Sequence, residues 1–315
     1  MDVERKLMSS VSSRIESEVI KQDVNEPPKK RSSSDFIAFP EMDEQQFQQW
    51  IDLLDARTGM RLPDNRRSFL VTNLGIRMRE LGLKEYADYY DLLHSGRSGH
   101  IEWDKLIHYL TVHETRFLRH QDTNALICEK YLPRSKFEIK EEPLTVHIWS
   151  VGCSTGEEPY GIAMAVDSHL KKLGCEFYIG IIASDISRSA ITIGRAGIYN
   201  KRQLKDIDPE WLATYFEKLP DGRYQVTAKL KQRVCFNQLN VVDMKKAPMG
   251  AMDIIVCQNL LIYYDRKRRE QIASNFVEHL MPGGLLVLGV GELVNWSHPK
   301  LERLPYANTL AFRHK

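Results

Sequence analysis

Apolar positions change their spacing along the chain. Over residues 1–38 they recur every four residues, at Val3, Leu7, Val11, Ile15 and Val19, enough for one short amphipathic helix. A helix that short is marginal alone, and the following NEPPKKRSSS has linker composition, so 1–38 reads as a flexible tail. From 39 to 120 the spacing is helical. Asp43 can cap a helix carrying Phe47, Trp50, Ile51 and Leu54 that ends at Gly59. Asp64 can cap a second, with Phe69, Leu70, Leu74 and Met78 as its stripe and Gly82 behind it. Tyr86 to Leu93 and Trp103 to Leu110 supply two more, giving a small all-α domain. Residues 121–143, with Pro133 and Pro143, read as a linker.

From 144 to 315 short β-branched runs alternate with amphipathic helices, the pattern of an α/β domain around a parallel sheet. The first buried strand is Val146 to Val151, followed by a crossover helix from Tyr160 to Leu173. Phe177 to Ala183 is the second strand and closes on Ser184-Asp185; Ser189 to Ala196 is the next helix. Residues 201–238 break the rhythm. A helix near Trp211 to Phe216 and a PDG turn at Pro220 to Gly222 precede alternating Tyr224, Val226, Val234 and Phe236, which predicts a small antiparallel insert. Asn240 ends a short strand, Asp253 to Cys257 is a buried one, and a charged helix spans Arg266 to Leu280. Leu285 to Leu288 and Leu310 to Phe312 complete the predicted sheet.

The chemistry gathers where the first strand ends, in VGCSTGEEPY. Its glycines let backbone approach a ligand, and acidic residues with Pro159 suit a helix's first turn. The turn has no Lys for a P-loop and no third Gly for a GxGxxG cradle. It offers carboxylates instead, which attract an amine or a sulfonium, and S-adenosylmethionine carries both. Asp185 closes the second strand, where a Rossmann-like site holds ribose hydroxyls, although it lies 29 residues past Gly156, beyond the usual gap. Gln258-Asn259 occupies the corresponding end of a later strand. Glu157 and Glu158 are adjacent, so one of them is a first-turn charge.

Composition narrows the classes. The chain has 315 residues, 44 basic against 42 acidic, so no net field draws it to nucleic acid. Five scattered cysteines without a CxxC pair argue for a reducing compartment, against a disulfide frame and against a zinc site. There is no long apolar run and no signal-peptide core, which predicts a cytoplasmic protein not inserted in the membrane; a monomer is expected. Arg66, Arg67, Arg77 and Arg79 make the second helix basic, either as a solvated face or as a docking face for an acidic partner.

Together the motifs ETRFLR, STGEEPY, ASDIS with GIY, CQNLLIYYD and PGGLLVLGVGE resemble the CheR-type protein-glutamate O-methyltransferases, which methylate bacterial chemoreceptors. The resemblance covers about residues 40–315. It implies an S-adenosylmethionine-dependent methyltransferase domain of Rossmann type with a β-subdomain insert, releasing S-adenosylhomocysteine and using no metal. It also implies roles. His113, Thr115 and Arg119 would reach the cofactor, Glu158 its amine and Asp185 its ribose. Asn240 with Val241 would flank adenine, and Asn259 with Leu260 the methionine side. Arg119 and Tyr263 would stand at the transferred methyl, and the basic second helix would dock on the receptor's methylation helices. Two departures stand out. His113 replaces the family's usual Asn, and the insert is short around its PDG turn, which argues against capture of a receptor tail peptide. The unusual tail points to the variant pathway controlling type IV pili. The competing reading is a silent regulator that binds the cofactor or its product without transferring methyl.

Overall fold

The computed structural model describes residues 41–62, 66–111, 114–132, 144–174, 176–248 and 250–315. The tail, Asp64, His113 and the proline-bearing part of the linker lie outside these residues. The chain divides into two compact units, Met1–Val112 and His113–Lys315, so HETRFLRH belongs with the second. Among the described residues no helix is long and apolar enough to cross a membrane.

In the first unit four helices pack through the stripes that the sequence marks: α1 (Glu44–Thr58), α2 (Arg67–Leu81), α3 (Tyr86–His94) and α4 (Gly96–Leu110). Asp43 caps α1 in a reciprocal box. Its carboxylate accepts from the Gln46 amide at 2.7 Å, and the Gln46 side chain accepts from the Asp43 amide at 3.1 Å. Gly59 ends α1 in the left-handed region, at φ 75°, as a non-glycine residue would only with strain. Trp50 packs between Tyr89 and Tyr90, with ring centroids 5.6 and 5.4 Å away.

One expectation for this unit is corrected. Arg77 is not on the outer face of α2: it is buried and forks onto Glu102 of α4, at 2.8 and 2.7 Å. Tyr89 donates to the same carboxylate at 2.8 Å, and Glu80 also contacts the guanidinium. A buried carboxylate needs such partners, and Arg77 is committed to that task.

The second unit is built on a seven-stranded sheet, β1 (Leu144–Val151), β2 (Phe177–Asp185), β6 (Val234–Gln238), β7 (Met252–Cys257), β8 (Leu280–Leu288), β9 (Leu301–Leu304) and β10 (Leu310–His314). Its order is β6-β2-β1-β7-β8-β10-β9. The first five run parallel, while β10 is antiparallel to β8 and to β9. Central strands of a parallel sheet are covered on both faces, hence the continuous apolar runs. On one face Val146, Ile148, Ile254 and Val287 join the core with α6 (Glu157–Lys172). On the other Trp149 meets Phe276 of α10 (Arg266–Glu278), ring centroids 5.5 Å apart, and donates to Ser184 at 2.8 Å.

Between β2 and β6 lie α7 (Arg188–Ala196) and a three-stranded antiparallel sheet of β3 (Ile198–Tyr199), β4 (Phe216–Lys218) and β5 (Tyr224–Val226), ordered β3-β5-β4. Val234 and Phe236, expected in this insert, instead form β6 and pair in parallel with Ile181 and Ala183 of β2. The reason is packing. Phe236 fills the space left by Gly194 on α7 and stacks 5.6 Å from Tyr160, so β6 is part of the main core. β9 is short and was not anticipated; pairing with β10 defines it.

Candidate active site

The carboxyl ends of β1, β2 and β7 converge. Val151 is in register with Ser184 on one side and Cys257 on the other. Beyond β1 the chain turns on Gly152 (φ 76°), Ser154 (φ 49°) and Gly156 (φ 99°). The Gly152 and Cys153 amides donate to the Ser184 carbonyl at 2.8 and 3.0 Å, and the Ser154 amide donates to Asp185 at 2.9 Å. The other Asp185 oxygen accepts from the Ser187 amide at 2.8 Å, so the carboxylate is fixed at the strand end. A side chain at Gly156 would meet the Tyr199 hydroxyl at 2.8 Å and Phe236 at 3.0 Å; only glycine fits.

Of the adjacent glutamates, Glu157 is buried, accepting from Thr155 at 2.6 Å and Gln203 at 3.2 Å. It stands in the helix's first turn but as an internal tie rather than a solvated charge. Glu158 is half-buried, and one of its oxygens accepts from Ser150 at 2.7 Å. Desolvation pushes the Glu158 carboxyl up to about 7; Ser150 lowers it, nearby Glu292 raises it and Arg119 lowers it. An incoming ammonium would favour its ionised form.

The turn Phe117–His120 sits against this edge. Phe117 is buried, 4.9 Å from the Tyr199 ring, and Leu118 adopts φ 56° where Gly161 of α6 allows close approach. Arg119 is exposed and donates to the Glu114 carbonyl at 2.5 Å, with Thr115 half-buried beside it. His120 shares a hydrogen bond of 2.8 Å with the Asn259 side chain, and burial lowers its pKa. Thr123 donates to Gln258 at 3.2 Å. A polar cleft of about 440 Å³, lined by Arg116, Arg119, His120 and Asn308 among others, opens at this turn without reaching Glu158 or Asp185.

Asn259 is left-handed (φ 61°), and Leu260 after it faces Gly152, whose absent Cβ would lie 3.2 Å from the leucine Cβ. Asn240 follows β6 beside Asp185: Leu239 donates its amide to the Asp185 carbonyl at 2.9 Å, and Val241 is buried. Tyr263 lies in a 3-10 turn, Leu261–Tyr263, immediately beyond. The fold thus brings Arg119, Glu158, Asp185, Asn240, Val241, Asn259 and Leu260 to one sheet edge. Arg66, Arg67, Arg77 and Arg79 belong to the other unit.

The match to family models decides which family the chain comes from. Residues 113–309 match the CheR methyltransferase SAM binding domain, and residues 45–111 its all-alpha domain.

The chain belongs to the CheR methyltransferase family.

Three relatives agree. The chain is 34% identical to the chemotaxis protein methyltransferase of Escherichia coli over 82% of its length and 86% of the relative's. It is 34% identical to chemotaxis protein methyltransferase 2 of Vibrio cholerae, over 76% and 83%. It is 30% identical to the chemotaxis protein methyltransferase of Borreliella burgdorferi, over 75% and 83%. It is therefore an S-adenosylmethionine-dependent protein-glutamate methyltransferase acting in chemotaxis.

The donor set suits that cofactor. A half-buried carboxyl awaits a cation, a fixed carboxylate can take hydroxyls, and a glycine turn leaves room for a bulky ligand. Sequence reading missed three CheR side chains here. Ser150 is a polar residue within an apolar strand, and Glu292 is an acid closing the apolar run LLVLGVG, both visible as breaks in pattern. His120 gave no such sign, since its partner Asn259 is 139 residues away.

Proposed function

We propose that this edge transfers methyl from S-adenosylmethionine to glutamate side chains on the cytoplasmic helices of a methyl-accepting chemoreceptor, with Arg119 and Tyr263 at the reacting atoms. The observation that carries the assignment is the pairing of a desolvated carboxyl, Glu158 held by Ser150 at 2.7 Å, with a fixed one, Asp185 held by the Ser154 amide at 2.9 Å, at the carboxyl ends of β1 and β2. Bound cofactor supplies an electrophilic methyl on a sulfonium. Glu158 would hold the ligand's ammonium, Asp185 its ribose hydroxyls, Asn240 with Val241 its adenine, and Asn259 with Leu260 its methionine portion. Thr115 supports the same ligand from the turn.

A glutamate substrate is ionised at neutral pH, so its oxygen attacks without a general base. The bound group would supply a methyl whose bond to sulfur breaks as its bond to the glutamate oxygen forms, with the electron pair left on sulfur and both charges cancelled. The enzyme's contribution is orientation, worth up to about 7–11 kcal/mol when geometry is ideal. Arg119 can fork onto the incoming carboxylate, and its exposure keeps that contact from neutralising the nucleophile. Tyr263 shapes the space beside the methyl.

Receptor docking is assigned to Arg66, Arg67 and Arg79 on the basic helix. Arg79 is exposed, whereas Arg67 already pairs with Glu44 at 2.6 Å and covers Phe47 at 4.9 Å. Service in a pilus-controlling pathway is the finer reading, supported by the composition of residues 1–38.

The test is transfer of labelled methyl to chemoreceptor fragments with alkali release. Base-labile label that falls at least about 100-fold in Arg119→Ala, with S-adenosylhomocysteine binding retained, is the expected result. Full activity in that variant would remove the clamp. Binding without any transfer by the unaltered enzyme would favour the silent regulator.

A further inference from the structure

Among the described residues six large apolar side chains are exposed, and four of them (Val242, Ile262, Val290 and Val294) lie in loops beyond the carboxyl ends of β6, β7 and β8. Scattered exposed aliphatics need no explanation, but a cluster beside a site does. Ile262, Val290 and Val294 are 47%, 67% and 62% exposed, and Ile262 is next to Tyr263 in the same turn.

Their two loops are fastened together. The Arg269 guanidinium donates to the Tyr264 carbonyl at 2.7 Å, the Glu292 carbonyl at 3.1 Å and the Ile262 carbonyl at 3.4 Å. The buried Glu292 carboxylate accepts from the Gly289 amide at 2.8 Å. A side chain at 289 would collide with that carboxylate, so Gly289 is required. The three aliphatic groups therefore stand on a braced platform rather than on loose loops. Lys267 and Arg266 are exposed one turn away, Arg266 holding only a solvent-exposed pair with Glu270 at 2.9 Å.

We propose that Ile262, Val290 and Val294 form a docking platform for the substrate helix itself, next to the transferred methyl. The occupant is an amphipathic helix that sets small apolar residues against the platform and acidic residues towards Arg266 and Lys267. Continuity with Tyr263 selects a segment carrying the glutamate to be methylated, and the flanking positive charge selects its acidic character. This inference rests on the methyl-transfer reading and adds to it what surrounds an acceptable glutamate.

The test compares the unaltered enzyme with a variant carrying Ile262→Ser, Val290→Ser and Val294→Ser, using chemoreceptor fragments and labelled S-adenosylmethionine. The expected result is unchanged S-adenosylhomocysteine affinity and melting temperature, with KM for the receptor raised about tenfold or more. KM within twofold of the unaltered enzyme would overturn the platform. If the variant does not fold, a photo-crosslinking residue at Val290 in the otherwise native chain decides: adducts with the receptor fragment uphold the platform, and their absence sinks it. A loss of self-association in sedimentation with unaltered receptor KM would assign the patch to a second copy of this chain and overturn the proposal. Absence of label with the unaltered enzyme would instead fail the underlying reading, and is distinguishable because it precedes any substitution.

Discussion

Ser150 engages one oxygen of Glu158, and the carboxyl's desolvation places its titration near neutrality. The sign follows. With the folded-state value raised to about 7, the folded chain holds more protons than the unfolded one, so without ligand stability falls as pH rises from about 4.5 to 7. Binding a ligand ammonium at pH 6 must first expel that proton. Affinity for S-adenosylhomocysteine is therefore expected to weaken by up to about tenfold per unit below pH 7 and to level off above it, by calorimetry. Glu158→Gln should flatten that slope, weaken binding and stabilise the ligand-free protein at pH 8 by on the order of 2 kcal/mol. Arg77 makes the opposite case. Arg77→Ala strands the buried Glu102 carboxylate and should cost about 3–5 kcal/mol in denaturant melts. Arg79→Glu should leave stability within about 0.5 kcal/mol and raise receptor KM instead. From sequence the two arginines look alike, because which face of α2 meets α4 is decided by tertiary packing.

At the scale of elements, helix caps and buried strands were legible because their causes are local. Asp43 and Gly59 bound α1 by short-range hydrogen bonds, and strands such as β7 declare themselves by unbroken apolar runs. β6 was not legible as a main-sheet strand. Its alternation of Val234 and Phe236 is the same for an antiparallel hairpin and for the half-covered edge of a parallel sheet. The partner lies on β2, 53 residues from Val234 at Ile181, and no local pattern names it. The loop glycines carry a sharper signal. Gly156→Ala would force a residue into φ 99° and push against Tyr199 and Phe236; a loss of about 2–4 kcal/mol with weakened cofactor binding is expected. Gly194→Ala would drive a methyl into the Phe236 ring and loosen β6 against α7, with a cost of about 1–3 kcal/mol by thermal melting.

For the molecule as a whole, the sheet order has a consequence in time. β1 lies between β2 and β7, and its pairing with β7 joins residues far apart: His147 donates its amide to Asp253, 106 residues later, at 2.8 Å. At synthesis speeds of about 5–20 residues per second, β1 and β2 can pair early while the other edge of β1 stays bare for roughly 5–20 seconds. That edge is a flat run containing Ile148, Trp149 and Val151, buried on both faces once the sheet is complete. Chains cut after Gly250 should thus be insoluble, whereas chains that include β7 and β8 regain solubility, as a truncation series would show. The same long-range placement that assembles the site at the sheet's edge leaves the growing chain dependent on what shields that edge until β7 arrives.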